Sequence, residues 1–161
     1  MEYQTIRHTF EPIFDENSKI LILGSLPSVK SRENQFYYGH PQNRFWRLLA
    51  VLFDSEVPAT IQEKKAFLLC HHIALWDVIA QCDILGSSDS SIRNVIPNDM
   101  SVILKHASIQ RIYVNGNKAY ELYEKYCYRA CGRKAVRLPS TSPANAACGM
   151  EKLKEAWKVI L

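Results

Sequence analysis

The sequence predicts an α/β protein, a three-layer α/β/α sandwich around a central, mainly parallel four-stranded sheet. Two observations carry this expectation. Short apolar runs of strand length alternate along the chain with longer stretches of helical periodicity. No repeat, charge block or Gly/Ser linker divides the 161 residues, a length that suits a single domain over 1–161. At 47% hydrophobic and 22% charged, the composition excludes disordered, collagen-like and low-complexity classes.

The elements follow in order. Lys19-Ile20-Leu21-Ile22-Leu23 reads as a buried strand stopped by Gly24. A long polar loop, 24–43, comes next, and a stretch of that length is uncommon unless it is functional. Phe45, Trp46, Leu48, Leu49, Leu52 and Phe53 recur at helical spacing, and a second helix is expected near 61–70. Ile73-Ala74-Leu75-Trp76 is the next strand. Asn98 or Asp99 can cap a helix running to Leu104. A third strand, 109–114, stops at Asn115-Gly116, and Ala119, Leu122, Tyr123 and Tyr126 make the apolar face of the helix after it. Ala135-Val136-Arg137-Leu138 is a fourth, short strand ended by Pro139, and a last helix is expected over 150–161. In such sheets ligands bind beyond the carboxyl ends of the strands, which selects the loops 24–43, 77–99, 115–118 and 139–148.

Charge and cysteines narrow the chemistry. Twenty Lys and Arg against sixteen Asp and Glu leave +4, compatible with a polyanionic partner and equally with many metabolic enzymes. The longest apolar runs are far too short to span a bilayer. Residues 1–10 carry Glu2, Arg7 and His8 with no apolar core, so no secretory leader is expected and the cytoplasm is the default location. Five cysteines at irregular spacing (Cys70, Cys82, Cys127, Cys131, Cys148) read as reduced thiols, mostly buried. Neither the Cys127/Cys131 pair nor the adjacent His71 and His72 makes a ligand set, so no metal and no cofactor is expected. No G-x-G-x-x-G, no G-x-x-x-x-G-K-[ST] and no G-x-S-x-G occurs.

The loop after the first strand contains Tyr37, Tyr38, His40 and Asn43 beside a strand end, the makings of a lined pocket. The rings offer flat faces to a planar ligand, or serve as core aromatics under the loop. Asn43 either holds a water molecule in a fixed direction or caps the following helix.

These residues resemble the uracil-DNA glycosylase superfamily. Gly24-Ser25-Leu26-Pro27-Ser28 is similar to its first motif, and His40-Pro41-Gln42-Asn43-Arg44-Phe45-Trp46 to the H-P-x-N-x-F-W that follows. With Tyr37-Tyr38-Gly39, Ala74-Leu75-Trp76-Asp77-Val78-Ile79, Gly86-Ser87-Ser88-Asp89-Ser90-Ser91-Ile92 and Leu138-Pro139-Ser140-Thr141-Ser142-Pro143-Ala144, the resemblance is nearest the hypoxanthine-DNA glycosylase (DNA-deoxyinosine glycosylase) branch. Two positions depart from the pattern. Leu26 stands where mismatch-type relatives place a catalytic Asn, and Leu138 where several relatives open the closing motif with His or Asn. No Cys lies in the amino-terminal region, so the iron–sulfur branches do not fit.

The resemblance implies a monofunctional glycosylase that flips a deaminated base, hypoxanthine by preference, out of DNA and hydrolyses its glycosidic bond. The alternatives are a uracil or thymine mismatch glycosylase and a nucleic-acid binding module without catalysis. It implies that Asn43 took over the catalytic role and positions the water. Backbone N–H groups near Ser25 and Leu26 would stabilise the leaving base, and Tyr38 would stack on it. Asp77 aligns with the Asn that reads the base edge in uracil-specific relatives; it accepts a ring N–H or caps a turn. Asn115 touches the pocket or shapes a turn with Gly116. Pro139, Ser140, Thr141, Ser142 and Pro143 match the loop that pinches the DNA backbone, with Ser142 at the wedge position, although the same residues suit an ordinary turn. Nearby Arg133, Lys134 and Arg137 are expected to make binding salt-dependent. The expected partner is DNA, and the expected state is a monomer with no membrane association.

Overall fold

In the computed structural model, which describes residues 2–161, the four apolar runs form one parallel sheet. Met1, the first residue of the stretch scanned for a leader, lies outside the described residues. In chain order the first elements are β1 (Tyr3–Arg7), β2 (Ile20–Gly24), α1 (Val29–Asn34), α2 (Phe45–Leu52), α3 (Ile61–Cys70) and β3 (Ile73–Asp77). Then come β4 (Ile79–Leu85), β5 (Arg93–Pro97), α4 (Ser101–Leu104), β6 (Arg111–Asn115), α5 (Asn117–Tyr126), α6 (Tyr128–Cys131), β7 (Ala135–Leu138) and α7 (Met150–Trp157).

The parallel sheet has the order β3-β2-β6-β7. β2 and β3 are apolar up to their last residues because helices flank the sheet; Leu21, Ile22 and Leu23 of β2 and Ile73, Ala74 and Leu75 of β3 have no exposed surface, nor does Val114 of β6. Helix α3 packs on β3, α5 on β6 and β7, and α2 on α7. Buried Phe45, Leu48 and Leu49 of α2 face the core with Leu153 and Trp157 of α7. Thr60 caps α3 by accepting from the Glu63 N–H at 3.0 Å, and Glu63 returns a bond from the Ala59 N–H at 2.9 Å. Asp99 accepts from the Ser101 N–H at 3.0 Å and so starts α4.

The structure adds a second sheet and a short helix, and replaces a loop. A separate three-stranded antiparallel sheet, β1-β4-β5, stands beside the parallel one. The expected ligand loop 77–99 is mostly the β4–β5 hairpin, and the polar stretch 24–43 contains α1, capped by Ser28 accepting from the Ser31 N–H at 3.1 Å. β1 runs antiparallel to β4 from Tyr3 opposite Leu85 to Arg7 opposite Gln81. Of the five free thiols, Cys82 and Cys127 are buried, Cys131 and Cys148 half-buried and Cys70 exposed, fewer buried than the sequence suggests. None of the described helices is long and apolar enough to cross a membrane.

Candidate active site

Register puts the site together. Gly24 at the end of β2 lies opposite Asp77 at the end of β3, and Asn115 of β6 lies opposite Leu138 of β7. A cavity of about 1410 Å³ opens along this carboxyl edge. It is lined by Ser25, Leu26, Tyr38, Asn43, Asp77 and Asn115, and by all of Pro139-Ser140-Thr141-Ser142-Pro143. All eleven candidate site residues are therefore on one surface, although they come from four separate segments.

Asn43 is held from two sides. Its Oδ1 accepts from the Phe45 N–H and from the Thr141 hydroxyl, both at 2.9 Å. The first bond opens α2, so capping and a place in the cavity are not exclusive. Both oxygen lone pairs are thereby engaged. The amide Nδ2 bonds to no other described residue and is left to face a ligand. Thr141, fully buried, is the hub: its hydroxyl also accepts from Asn115 Nδ2 at 3.0 Å, and its N–H donates to Asn115 Oδ1 at 3.0 Å. Asn115 thus spends both ends of its amide holding the closing loop. Its neighbour Gly116 needs its glycine, with φ +97° and a Cβ position only 3.0 Å from Ser140 Cβ.

Arg44 binds the same loop more widely. Its backbone N–H donates to the Thr141 carbonyl at 3.1 Å. Its guanidinium donates to the carbonyls of Ser142 at 2.9 Å, Asn145 at 3.1 Å and Cys148. No sequence signal marks Arg44 for this role, because the acceptors are main-chain carbonyls far along the chain. The loop needs this support, since it has no regular structure of its own.

Tyr38 adopts φ 52°, a conformation costly for a large side chain. Its ring stacks on Phe45, centroids 4.1 Å apart, at the cavity wall. Its hydroxyl is buried without a hydrogen-bond partner. Burial first and the Asp77 charge second raise its phenol pKa far above the usual range, with Asn115 opposing. Tyr37, by contrast, belongs to the core; its hydroxyl donates to the Glu11 carbonyl at 2.7 Å. Gly24 is required because a Cβ there would come 2.4 Å from Asp77 Oδ1 and 2.9 Å from the Tyr38 hydroxyl.

Asp77 is almost completely buried and accepts from His8 Nε2 at 2.8 Å through Oδ2. His8 comes from the residue just after β1, an element the sequence reading lacks. The carbonyls of Gly24 and Ser25 accept from Val78 and Ile79 at 2.8 and 3.1 Å. In trans peptides this turns the N–H groups of Ser25 and Leu26 away from that chain segment.

Around the closing loop, Ser140, Ser142, Pro139 and Pro143 are half-buried. Thr141 differs: its full burial and its bonds to Asn43 and Asn115 take its hydroxyl out of reach of a phosphate in this conformation. Arg133 is also tied inward, donating to the Ile109 carbonyl at 2.7 Å, so the cations at the cavity are Lys118, Arg137 and Arg32. Leu138 is buried core at 3% exposure, an apolar support where some relatives carry a polar group.

Comparisons with known proteins identify the family. The family model for the uracil DNA glycosylase superfamily matches residues 11–161. A protein of Methanosarcina acetivorans named hypoxanthine DNA glycosylase is 39% identical over 157 residues, covering 96% of this chain and 98% of its own. One of the same name from Methanosarcina barkeri is 36% identical over 150 residues, covering 92% and 93%. A solution NMR structure of a candidate uracil DNA glycosylase from M. acetivorans superposes with a TM-score of 0.78 at 35% identity, over 94% of this chain and 96% of that one. With a family match over all but its first residues and relatives this similar along nearly its whole length, the chain belongs to the uracil DNA glycosylase superfamily.

Proposed function

We propose that this protein is a monofunctional DNA glycosylase that releases hypoxanthine from DNA by hydrolysis of its glycosidic bond. The observation that carries the proposal is the placement of Asn43: clamped through Oδ1, with Nδ2 free, on a cavity whose other walls are a stacking ring and a buried carboxylate. The names of the relatives support the choice of base.

The base must leave the duplex to reach this cavity, at a cost of a few kcal/mol that is lower for a mispaired base. Tyr38 supplies the stacking face in compensation. The bond from C1′ to N9 breaks with its electron pair going to the base, leaving an oxocarbenium-like sugar. N–H groups at Ser25 and Leu26 stabilise the leaving charge. Asn43 Nδ2 donates to a water oxygen and leaves its second lone pair for C1′; a cation needs a positioned water more than a strong base. The water loses a proton as the C–O bond forms, the departing base gains one, and an abasic site remains. No lysine is needed in this scheme, so the strand is left intact. Ser140, Ser142 and the flanking prolines contact the phosphates beside the flipped nucleotide. The protein acts as a monomer, in the cytoplasm.

The test is release of hypoxanthine, uracil, xanthine and mismatched thymine from duplex oligonucleotides, read as strand breakage after alkali. Breakage with hypoxanthine and only after alkali is expected. Preferred cleavage at uracil or thymine would make the protein a pyrimidine glycosylase, and no alkali-labile site on any duplex would leave a binding module.

A further inference from the structure

We propose that His8 is a positioning residue for base recognition: it anchors one oxygen of Asp77 so that the other faces the cavity as a fixed hydrogen-bond acceptor for the ring N–H that deamination creates. The proposal rests on the reading that Asp77 meets the base.

A carboxylate only accepts, so His8 Nε2 is the donor in their 2.8 Å contact. The His8 side chain is 1% exposed and Asp77's is 5%. The imidazole is itself fixed. Its backbone N–H donates to the Ala80 carbonyl at 2.8 Å, and its ring packs 4.5 Å from Phe10 and 5.8 Å from Tyr37. The antiparallel pairing of β1 with β4 thus delivers an imidazole to the carboxyl end of the parallel sheet. Oδ1, the oxygen His8 leaves free, lies against the Cα of Gly24 on the cavity wall.

The chemistry gives this arrangement a purpose. Adenine presents an acceptor at N1 and an amino donor at C6. Deamination inverts both, giving an N1–H donor and a carbonyl acceptor. A fixed carboxylate oxygen matches the N1–H and opposes the lone pair of adenine N1, so it selects the damaged base against its parent. Without His8 the carboxylate torsion is broad, and a buried carboxylate with no partner tends to take up a proton and become a donor, losing the discrimination. The signal was invisible in the sequence because His8 and Asp77 are 69 residues apart.

Single-turnover release of hypoxanthine from duplex DNA, measured well below each variant's melting temperature, tests this. Asp77→Asn and His8→Leu are each expected to slow release by roughly 10-fold or more, the loss typical of a charge-assisted hydrogen bond. His8→Gln keeps a neutral N–H donor and is expected to recover most of the rate even where it melts no higher than His8→Leu. The double variant His8→Leu/Asp77→Asn is expected to be no slower than Asp77→Asn, because His8 acts through that carboxylate. A wild-type rate in His8→Leu, a His8→Gln as slow as His8→Leu, or additive losses in the double variant would each overturn the role of His8 while leaving base reading by Asp77 intact. A wild-type rate in Asp77→Asn would overturn the reading beneath it.

Discussion

Tyr38 concentrates the conflict between stability and function in one residue. Its φ of 52° and its orphaned hydroxyl are both unfavourable, and strain of this kind persists where surrounding structure enforces it. The stack on Phe45 is the visible compensation. Tyr38→Phe removes an unsatisfied polar group and no hydrogen bond, so its melting temperature is expected to equal or exceed that of the parent. Base release within a few-fold of the parent would show that stacking is what matters; a large loss would give the hydroxyl a direct contact with the base. Tyr38→Ala loses the stacking face and should weaken capture of the flipped base by ~1–3 kcal/mol, measured as lesion-DNA affinity. Gly24→Ala is a sharper probe. Its methyl would displace Asp77 Oδ1 or the Tyr38 hydroxyl, so loss of base release is expected from a protein that still folds and still binds undamaged DNA. Undiminished release would mean that neither group touches the base.

The closing loop, 139–148, is a run of local turns held by bonds such as Asn145 Nδ2 to the Ser140 carbonyl at 3.0 Å, and it depends on Arg44, Asn43 and Asn115 for its place on the cavity. Arg44→Lys keeps the charge but cannot reproduce a fork that meets several carbonyls. It is expected to cost ~1–3 kcal/mol in melting experiments through unsatisfied carbonyls, and to lower DNA affinity and base release together because Asn43 and the loop move as one. Elements of this kind also mark where reading the sequence stops. The four strands of the parallel sheet and the helices after 45, 61, 117 and 150 were legible, because full burial writes itself as apolar runs and one-sided burial as helical periodicity. Cys82 and Ile84 of β4 alternate with Gln81 and Asp83 in the strand pattern, and Ser28 is a good cap for α1; both signals were masked by the polar residues around them. β1 gives no such signal, since only Ile6 of its five residues is partly buried. Tyr38 and Asn43 stand out by their chemistry beside a strand end and the other nine site residues through a family resemblance, and their common cavity follows from strand register. His8 and Arg44 were beyond reach because their partners lie 69 and about 100 residues away.

For the whole molecule, a net charge of +4 with Lys118, Arg137 and Arg32 on the cavity predicts that binding of undamaged DNA weakens steeply as salt rises. Ser140→Ala and Ser142→Ala should lower affinity for damaged and undamaged duplexes alike, in fluorescence titrations at several salt concentrations; unchanged affinity with a flat salt response would remove the loop from the interface. Buried tyrosines, together with the Cys127 thiol that burial pushes up to about 12, weaken the fold at alkaline pH. Burial raises the phenol pKa of Tyr37 and Tyr123 well above the value of the unfolded chain. The stability they contribute is therefore complete below pH ~10 and declines as pH rises beyond it. A melting temperature that does not fall between pH 9 and 11 would contradict this.

Single-turnover kinetics of Asn43→Ala on hypoxanthine-containing duplex, read beside its DNA affinity and melting temperature, test the site most directly. Loss of the bonds from the Phe45 N–H and the buried Thr141 hydroxyl is expected to cost ~1–3 kcal/mol of stability. Base release is expected to fall by roughly 10²-fold or more in the folded fraction, far more than lesion-DNA affinity, which falls only through the loosened loop. A variant that is merely less stable, and that releases hypoxanthine at the parent rate per folded molecule, would show that Asn43 caps its helix and that the catalytic group lies elsewhere.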